Sequence, residues 1–203
     1  VAAIASGDPE LIRCYNEGID VHWRTTLNIL QMGGSEGYIR MARETVAKDY
    51  PLEYDAPLEQ ICHLLSVMGH DRAIEIDKRW KEKRKQSKGI NFGYLYGMGA
   101  WKFAEYAKLK YDWEVDHYEA EEIRNAFFST YSSLSSWHER QRQLVKIDGF
   151  VRSLIGRKRR LPGIWSPDKG VRAECERQAI NSPIQGFIGD LKVMGMLDIY
   201  DKI

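Results

Sequence analysis

The chain has 203 residues, 43% of them hydrophobic, enough to bury one substantial core or two small ones. No apolar run approaches the length of a membrane span, no signal peptide is visible, and three well-separated cysteines, Cys14, Cys62 and Cys175, offer neither a disulfide framework nor a zinc spacing. The net charge of +1 hides a block pattern: residues 1–77 carry 6 basic and 13 acidic side chains, residues 78–110 carry 10 and 2, residues 111–140 carry 2 and 7, and residues 141–203 carry 12 and 7. Two segregated positive stretches in a near-neutral chain point to focused polyanion sites rather than general stickiness.

Residues 8–17 predict a helix with Leu11, Ile12 and Tyr15 at helical spacing and a stop at Gly18, with Cys14 in the core. Gly33-Gly34-Ser35 predicts a loop. Leu58, Ile61, Leu64, Leu65 and Met68 predict an amphipathic helix with Pro57 in its first turn and Gly69 after its end; His63 and His70 read as surface groups rather than metal ligands.

The next segment carries the most chemistry. Arg84, Lys88, Phe92 and Tyr96, followed by Gly97, are spaced four apart. Successive positions advance about 400° around a helix and roughly 6 Å along it, so the four form one winding stripe about 18 Å long. Two cations precede two aromatics, the order in which a nucleoside triphosphate presents its phosphates, sugar and base. The N-terminal end of a helix also favours anions. The charge run DKRWKEKRKQSK alone would read as a solvated helix face. Its continuation, GINFGYLYGMG, argues otherwise: Gly89, Gly93 and Gly97 each cost a helix about 1 kcal/mol relative to Ala. We expect them where another molecule approaches the backbone, with Asn91 adding a polar group beside them.

Asp116 predicts the cap of a helix reaching about Ser129, residues 134–146 predict another, and Phe127, Phe128, Tyr131 and Trp137 are core candidates. Residues 150–161 read as a short hairpin, in which strand-friendly Val151, Leu154 and Ile155 precede Gly156 and the basic arm Arg157-Lys158-Arg159-Arg160. Such an arm suits phosphate contacts that position a nucleic acid without reading its sequence. Arg177, Asn181 and Gln185 form a second stripe at four-residue spacing, with Pro183 expected to kink the helix. Hydrogen-bonding side chains of this kind can probe the minor-groove acceptors that every base pair presents.

The stripe from Arg84 to Gly97 resembles the nucleotide-binding helix of family A DNA polymerases, the DNA polymerase I family of bacteria, phages and mitochondria. SGDPELIRCYNEGIDVH at residues 6–22, GFVRSLIGRKRRLP at 149–162 and ERQAINSPIQG at 176–186 resemble further family segments, in the family's order. Residues 23–80 match nothing we expect there and read as an insertion. The resemblance implies a mainly α fold with a short β-hairpin, the fingers subdomain of a right-hand polymerase plus edges of the palm. Residues 1–21 would adjoin the palm, 22–175 form the fingers, and 176–203 return toward the palm. The Val1 start and the apolar-patterned finish suggest an internal piece of a longer enzyme.

The resemblance also implies roles. His22 and Arg84 would hold the outer phosphates, Lys88 would neutralise charge during phosphoryl transfer, Phe92 would pack on the sugar, and Tyr96 with Gly97 would stack near the templating base. Arg157, Arg159 and Arg177 would contact nucleic acid, and Asn181 and Gln185 the minor groove at the primer terminus. Gly99, where relatives often carry Ser, and Phe187-Ile188-Gly189, where they carry small residues, depart from the pattern. In the family two aspartates hold two magnesium ions; neither lies in this chain, and Asp190 is not a substitute. The expected activity is template-directed transfer of a dNTP to a primer 3′-hydroxyl, with primer-template DNA and dNTPs as partners, no membrane, and a cytoplasmic or organellar setting. A single-subunit RNA polymerase fragment and a non-catalytic helical nucleic-acid-binding module are the alternatives. Phe92 and the Asn181–Gln185 segment favour the DNA enzyme over the former.

Overall fold

Apolar residues recur at helical spacing in Pro9–Asn16, Gly37–Val46 and Leu58–Met68, and each of these segments is a helix. The computed structural model of the protein describes residues 1–29, 37–200 and 202, so the expected Gly33-Gly34-Ser35 loop lies outside the described residues. The elements run α1 (Ala2–Ser6), α2 (Pro9–Asn16), α3 (Val21–Ile29), α4 (Gly37–Val46), α5 (Leu58–Met68), α6 (His70–Ile76), α7 (Arg79–Leu95), α8 (Ala100–Tyr111) and α9 (His117–Thr130). There follow α10 (Ser132–Asp148), strands β1 (Phe150–Arg152) and β2 (Lys158–Arg160), a 3-10 turn (Pro162–Trp165) and α11 (Lys169–Tyr200). They divide into two compact units, Pro9–Tyr131 and the combination of Val1–Asp8 with Ser132–Ile203. The hairpin, expected to share the 22–175 subdomain with the cationic stripe, therefore folds in the other unit.

In the Pro9–Tyr131 unit, Trp23 and Leu27 of α3, Val46 of α4, Ile61 and Leu65 of α5, and Trp80 of α7 share a core. Each such large side chain contributes about 2–3 kcal/mol by leaving water. Trp23 meets Trp80 edge-on at 5.0 Å, and Trp80 Nε1 donates to Thr45 Oγ1 at 2.9 Å, so the buried indole keeps its hydrogen bond. A second aromatic cluster joins α7, α8 and α9. Tyr94 stacks on Phe103 at 4.6 Å and meets Phe127 at 5.8 Å, while its hydroxyl donates to the Ala120 carbonyl at 2.7 Å. The Asp116 cap forms a full capping box: its carboxylate accepts from Glu119 N at 2.8 Å, and Glu119 accepts from Asp116 N at 3.0 Å.

Four expectations need correction here. Leu11 and Cys14 are buried, but Ile12 and Tyr15 are exposed. The buried arc of α2 is centred between Leu11 and Cys14, which leaves Tyr15 about 70° and Ile12 about 130° away from it. Phe128 is only half-buried, with the Arg124 guanidinium 5.3 Å over its ring. His70 is not a free surface group: it lies flat on Trp23 at 4.3 Å and meets the Asp20 carboxylate at 2.8 Å. Gly89 and Gly93 serve the chain's own packing. A Cβ at Gly89 would meet the Tyr111 ring at 3.0 Å and one at Gly93 the Phe103 ring at 2.9 Å, so it is α8 that approaches the α7 backbone. Gly97 adopts φ +78° just beyond α7, where a side chain would be strained.

In the other unit, β1 and β2 pair antiparallel, Phe150 opposite Arg160, Val151 opposite Arg159 and Arg152 opposite Lys158. Val145, Val151, Leu161, Ile164, Cys175 and Ala179 form its core beneath the hairpin. Asp8 accepts from Ser133 N at 2.9 Å and thereby caps the start of α10. The helix α11 continues through Pro183 without interruption.

Candidate functional site

The four-residue spacing places Arg84, Lys88 and Phe92 along one line of α7, and Tyr96 follows at its C-cap. Lys88 Nζ lies 6.0 Å from the Phe92 ring centroid, and the Phe92 and Tyr96 ring centroids are 6.4 Å apart at 27°, so these three follow one another in sequence order. Phe92 is 44% exposed although it neighbours the buried Ile90 and Tyr94. Lys88 forms no ion pair among the described residues, so the outward line carries an uncompensated cation beside open aromatic surface.

His22 reaches the same place from the first turn of α3. Its Nδ1 lies 2.9 Å from Asn91 Nδ2. Thr25 Oγ1 donates to Asn91 Oδ1 at 2.7 Å, which turns the amide nitrogen toward His22 and the Val21 carbonyl. Nδ1 therefore accepts, and the ring proton sits on Nε2, where it can be donated to an anion. Burial holds the His22 pKa below its ordinary value; Asp20 opposes this, and the positive charges of Arg84 and Lys88 add to it.

Asp20 lies between these groups. One oxygen accepts from His22 N at 2.7 Å, and the other accepts from His70 Nε2 at 2.8 Å and faces Arg84 Nη1 at 3.7 Å. Burial pushes its pKa up, but the bonds from His70 and the His22 backbone outweigh burial and bring it down to about 2. Arg84 Nη1 is buried without a hydrogen-bond partner. Such an orphan donor costs about 1–3 kcal/mol, while the side chain as a whole, 37% exposed, leaves the guanidinium partly accessible to an anion. The structure thus assembles all five side chains expected for a nucleotide, and adds Asp20, His70, Asn91 and Thr25. Asn91 stood out in the sequence only as a polar neighbour, and the pairing of Asp20 with His70, 50 residues on, leaves no local signal.

The second site is a cleft of about 470 Å³ between the hairpin and α11. Arg157 and Arg159 line it from the hairpin, and Gln178, Asn181 and Gln185 from α11; Arg177 does not line it and instead pairs with Glu174 on its own helix. Gln178, one turn before Ser182, was missed in the sequence because it lies off the four-residue stripe. Arg157 is held by Asp190 at 2.7 Å and by the Gly186 carbonyl at 3.0 Å, and Ser153 Oγ donates to Asp190 at 3.1 Å. Asp190 is thus occupied in bracing the hairpin. The Arg159 and Arg160 side chains make no ion pair among the described residues, and Asn181 Oδ1 is buried without a partner. Lys158 and Arg152 flank the Phe150 ring at 4.7 and 5.3 Å, which stiffens the basic arm. A cation without an ion pair, Arg159, and the unmet Asn181 amide oxygen along one cleft suit a polyanion with hydrogen-bonding edges.

No group of three His, Cys, Asp or Glu side chains stands close enough to hold a metal among the described residues, so these residues provide no cage for a divalent ion and no chemical step is assigned to one here. Among the described residues no helix is long and apolar enough to cross a membrane.

The fold is that of a polymerase domain. The chain matches the solved structure described as the POL domain of Pol1 from M. smegmatis in complex with DNA primer-template and dNTP, with a TM-score of 0.58 at 23% identity, over 91% of this chain and 24% of that one. Residues 70–203 match the family described as DNA polymerase family A, and the chain belongs to that family. The thermostable DNA polymerase I of Thermus aquaticus is 26% identical over 203 residues, 100% of this chain and 19% of the relative. DNA polymerase I of Caldicellulosiruptor bescii is 33% identical over 130 residues, 64% of this chain and 15% of the relative. The family match decides against the single-subunit RNA polymerase alternative. The chain spans under a fifth of the length of these relatives.

Proposed function

We propose that this chain supplies the dNTP site and part of the primer-template site of a DNA-directed DNA polymerase. The carrying observation is the convergence of His22, Lys88, Phe92 and Tyr96 around Arg84, whose Nη1 has an ion-pair contact with Asp20 but no hydrogen bond among the described residues. His22 Nε2 and Arg84 bind the outer phosphates, and Lys88 meets the charge that grows on the transferring phosphate. Phe92 packs on the sugar, and Tyr96 and Gly97 border the base. The cleft takes primer-template DNA: Arg157 and Arg159 border its phosphate path, Asn181 and Gln185 read minor-groove acceptors, and Arg177 supports the template strand beside it. Family A polymerases use divalent metal ions; we assign two magnesium ions to the full-length enzyme, held by residues other than these 203, and place the enzyme in the cytoplasm. In this reading α7 belongs to the fingers, and α11 from residue 176 onward leads toward the palm.

The test is Phe92→Tyr in the full-length enzyme. A phenyl ring offers shape without a hydrogen bond, so the pocket relies on the substrate's own 3′-hydroxyl, which a dideoxynucleotide lacks. Tyr supplies a hydroxyl from the protein. The variant is expected to raise kcat/KM for dideoxynucleotides far more than for normal ones in single-nucleotide incorporation. Unchanged discrimination would mean that Phe92 does not face the sugar.

A further inference from the structure

Helices α5 and α6 precede the cationic stripe, α5 upstream of the residues 70–203 that match the family and α6 at their start, and both reach Asp20 beside Arg84. Ser66 of α5 accepts from Asp20 N at 2.9 Å, and its hydroxyl donates to the Cys62 carbonyl at 2.7 Å. His70, at the start of α6, reaches the Asp20 carboxylate at 2.8 Å with its ring stacked at 17° on Trp23. A carboxylate only accepts, so His70 Nε2 carries the proton of this bond.

The geometry around Asp20 is asymmetric. The oxygen that His70 holds is the one that faces Arg84, and the Arg84 nitrogen stops at 3.7 Å, an ion-pair distance without a hydrogen bond. A carboxylate free to turn would close that gap and engage the guanidinium directly, since charge-assisted pairs settle near 2.7–2.9 Å. Arg84 would then be spent on its own protein.

We propose that His70 is a positioning residue for the nucleotide site: by donating to Asp20 it keeps this carboxylate from capturing Arg84 and leaves the guanidinium open to the triphosphate. The proposal rests on the dNTP reading given above. It gives the 23–80 segment a role at the site, since α6 supplies His70 and α5 anchors the Asp20 backbone. His70 touches no substrate atom and acts through Asp20 alone.

The experiment uses the full-length polymerase and measures KM and kcat for a single dNTP, with primer-template affinity and melting temperature as checks on folding. His70→Phe keeps a ring on Trp23 and removes the donor; His70→Gln keeps a donor at similar reach and removes the stack. The Phe variant is expected to raise KM about 5- to 10-fold, with little change in kcat, because one charge-assisted hydrogen bond is lost. The Gln variant is expected to stay within about 2-fold of wild type. Adding Asp20→Asn to His70→Phe should restore KM, because a neutral amide has no charge with which to capture Arg84. His70→Leu is the second donor-less variant if the Phe protein fails to fold. Arg84→Ala separates the two readings. If it leaves KM unchanged, the nucleotide reading of the stripe falls, and this inference with it. If it raises KM while the donor-less variants do not, or if Gln is as damaging as Phe, or if Asp20→Asn gives no rescue, His70 only packs on Trp23 and the positioning role is overturned.

Discussion

Asp20 carries the clearest pH signature of the proposed nucleotide site. Its folded pKa of about 2 lies below the ordinary 3.8, so the unfolded chain binds its proton first on acidification. The stability it contributes, on the order of 2 kcal/mol, is fully present above pH 3.8 and is lost as pH falls from there to about 2. His22, also held below its ordinary 6.5, adds a separate loss that begins as pH falls through that value. Denaturant unfolding of wild type and Asp20→Asn should therefore show a stability gap that is present above pH 3.8 and closes as pH falls toward 2. A gap that persists at pH 2 would mean that Asp20 is not held as described. The alignment of Arg84, Lys88, Phe92 and Tyr96 was legible at this scale because the four obey one local spacing. Asp20 and His70 were not, because two residues 50 apart meet only through the packing of α6 on Trp23.

Helix α7 shows what an element's sequence states and what it omits. Three glycines signalled close approach, and at two of them, Gly89 and Gly93, the structure has it, but a sequence does not say which molecule approaches. At Gly93 it is Phe103, itself fully buried and stacked on Tyr94, so the ring has no free volume to swing into. Gly93→Ala gains about 1 kcal/mol of helix propensity and costs about 1–3 kcal/mol in overpacking. With the new Cβ at 2.9 Å from the ring, overpacking is expected to win and a thermal melt to shift a few degrees downward. A rise would mean that α8 yields easily and that the glycine answers to something outside the chain. Elements defined by local chemistry were read more fully. The Asp116 cap, the amphipathic α5 ending at Gly69, and the basic hairpin all rest on residues within a few positions of each other. The buried arc of α2 depended on a tertiary neighbour, so Ile12 and Tyr15 were misplaced while Cys14 was not.

Over the whole molecule, the two positive blocks of the sequence became two distinct sites: residues 78–110 hold the stripe and residues 141–203 the cleft. Their division between two compact units was not legible, because the unit boundary at Tyr131 falls between helices with no change in composition. Cations that bind phosphate do not replace metal ligands, and no metal-holding cluster occurs among the described residues. The purified 203-residue chain is therefore expected to give no template-dependent primer extension with magnesium and all four dNTPs. Reproducible extension would overturn this division of labour.

Lys88 tests the central claim most directly, since it makes no ion pair among the described residues and stands one turn from both Arg84 and Phe92. In the full-length enzyme, single-turnover incorporation by Lys88→Ala should fall by about 2.7–4 kcal/mol in activation free energy, roughly a hundred- to a thousandfold in rate, while primer-template affinity changes little. A loss confined to DNA affinity, with the chemical rate intact, would make the stripe a solvated helix face and contradict the account.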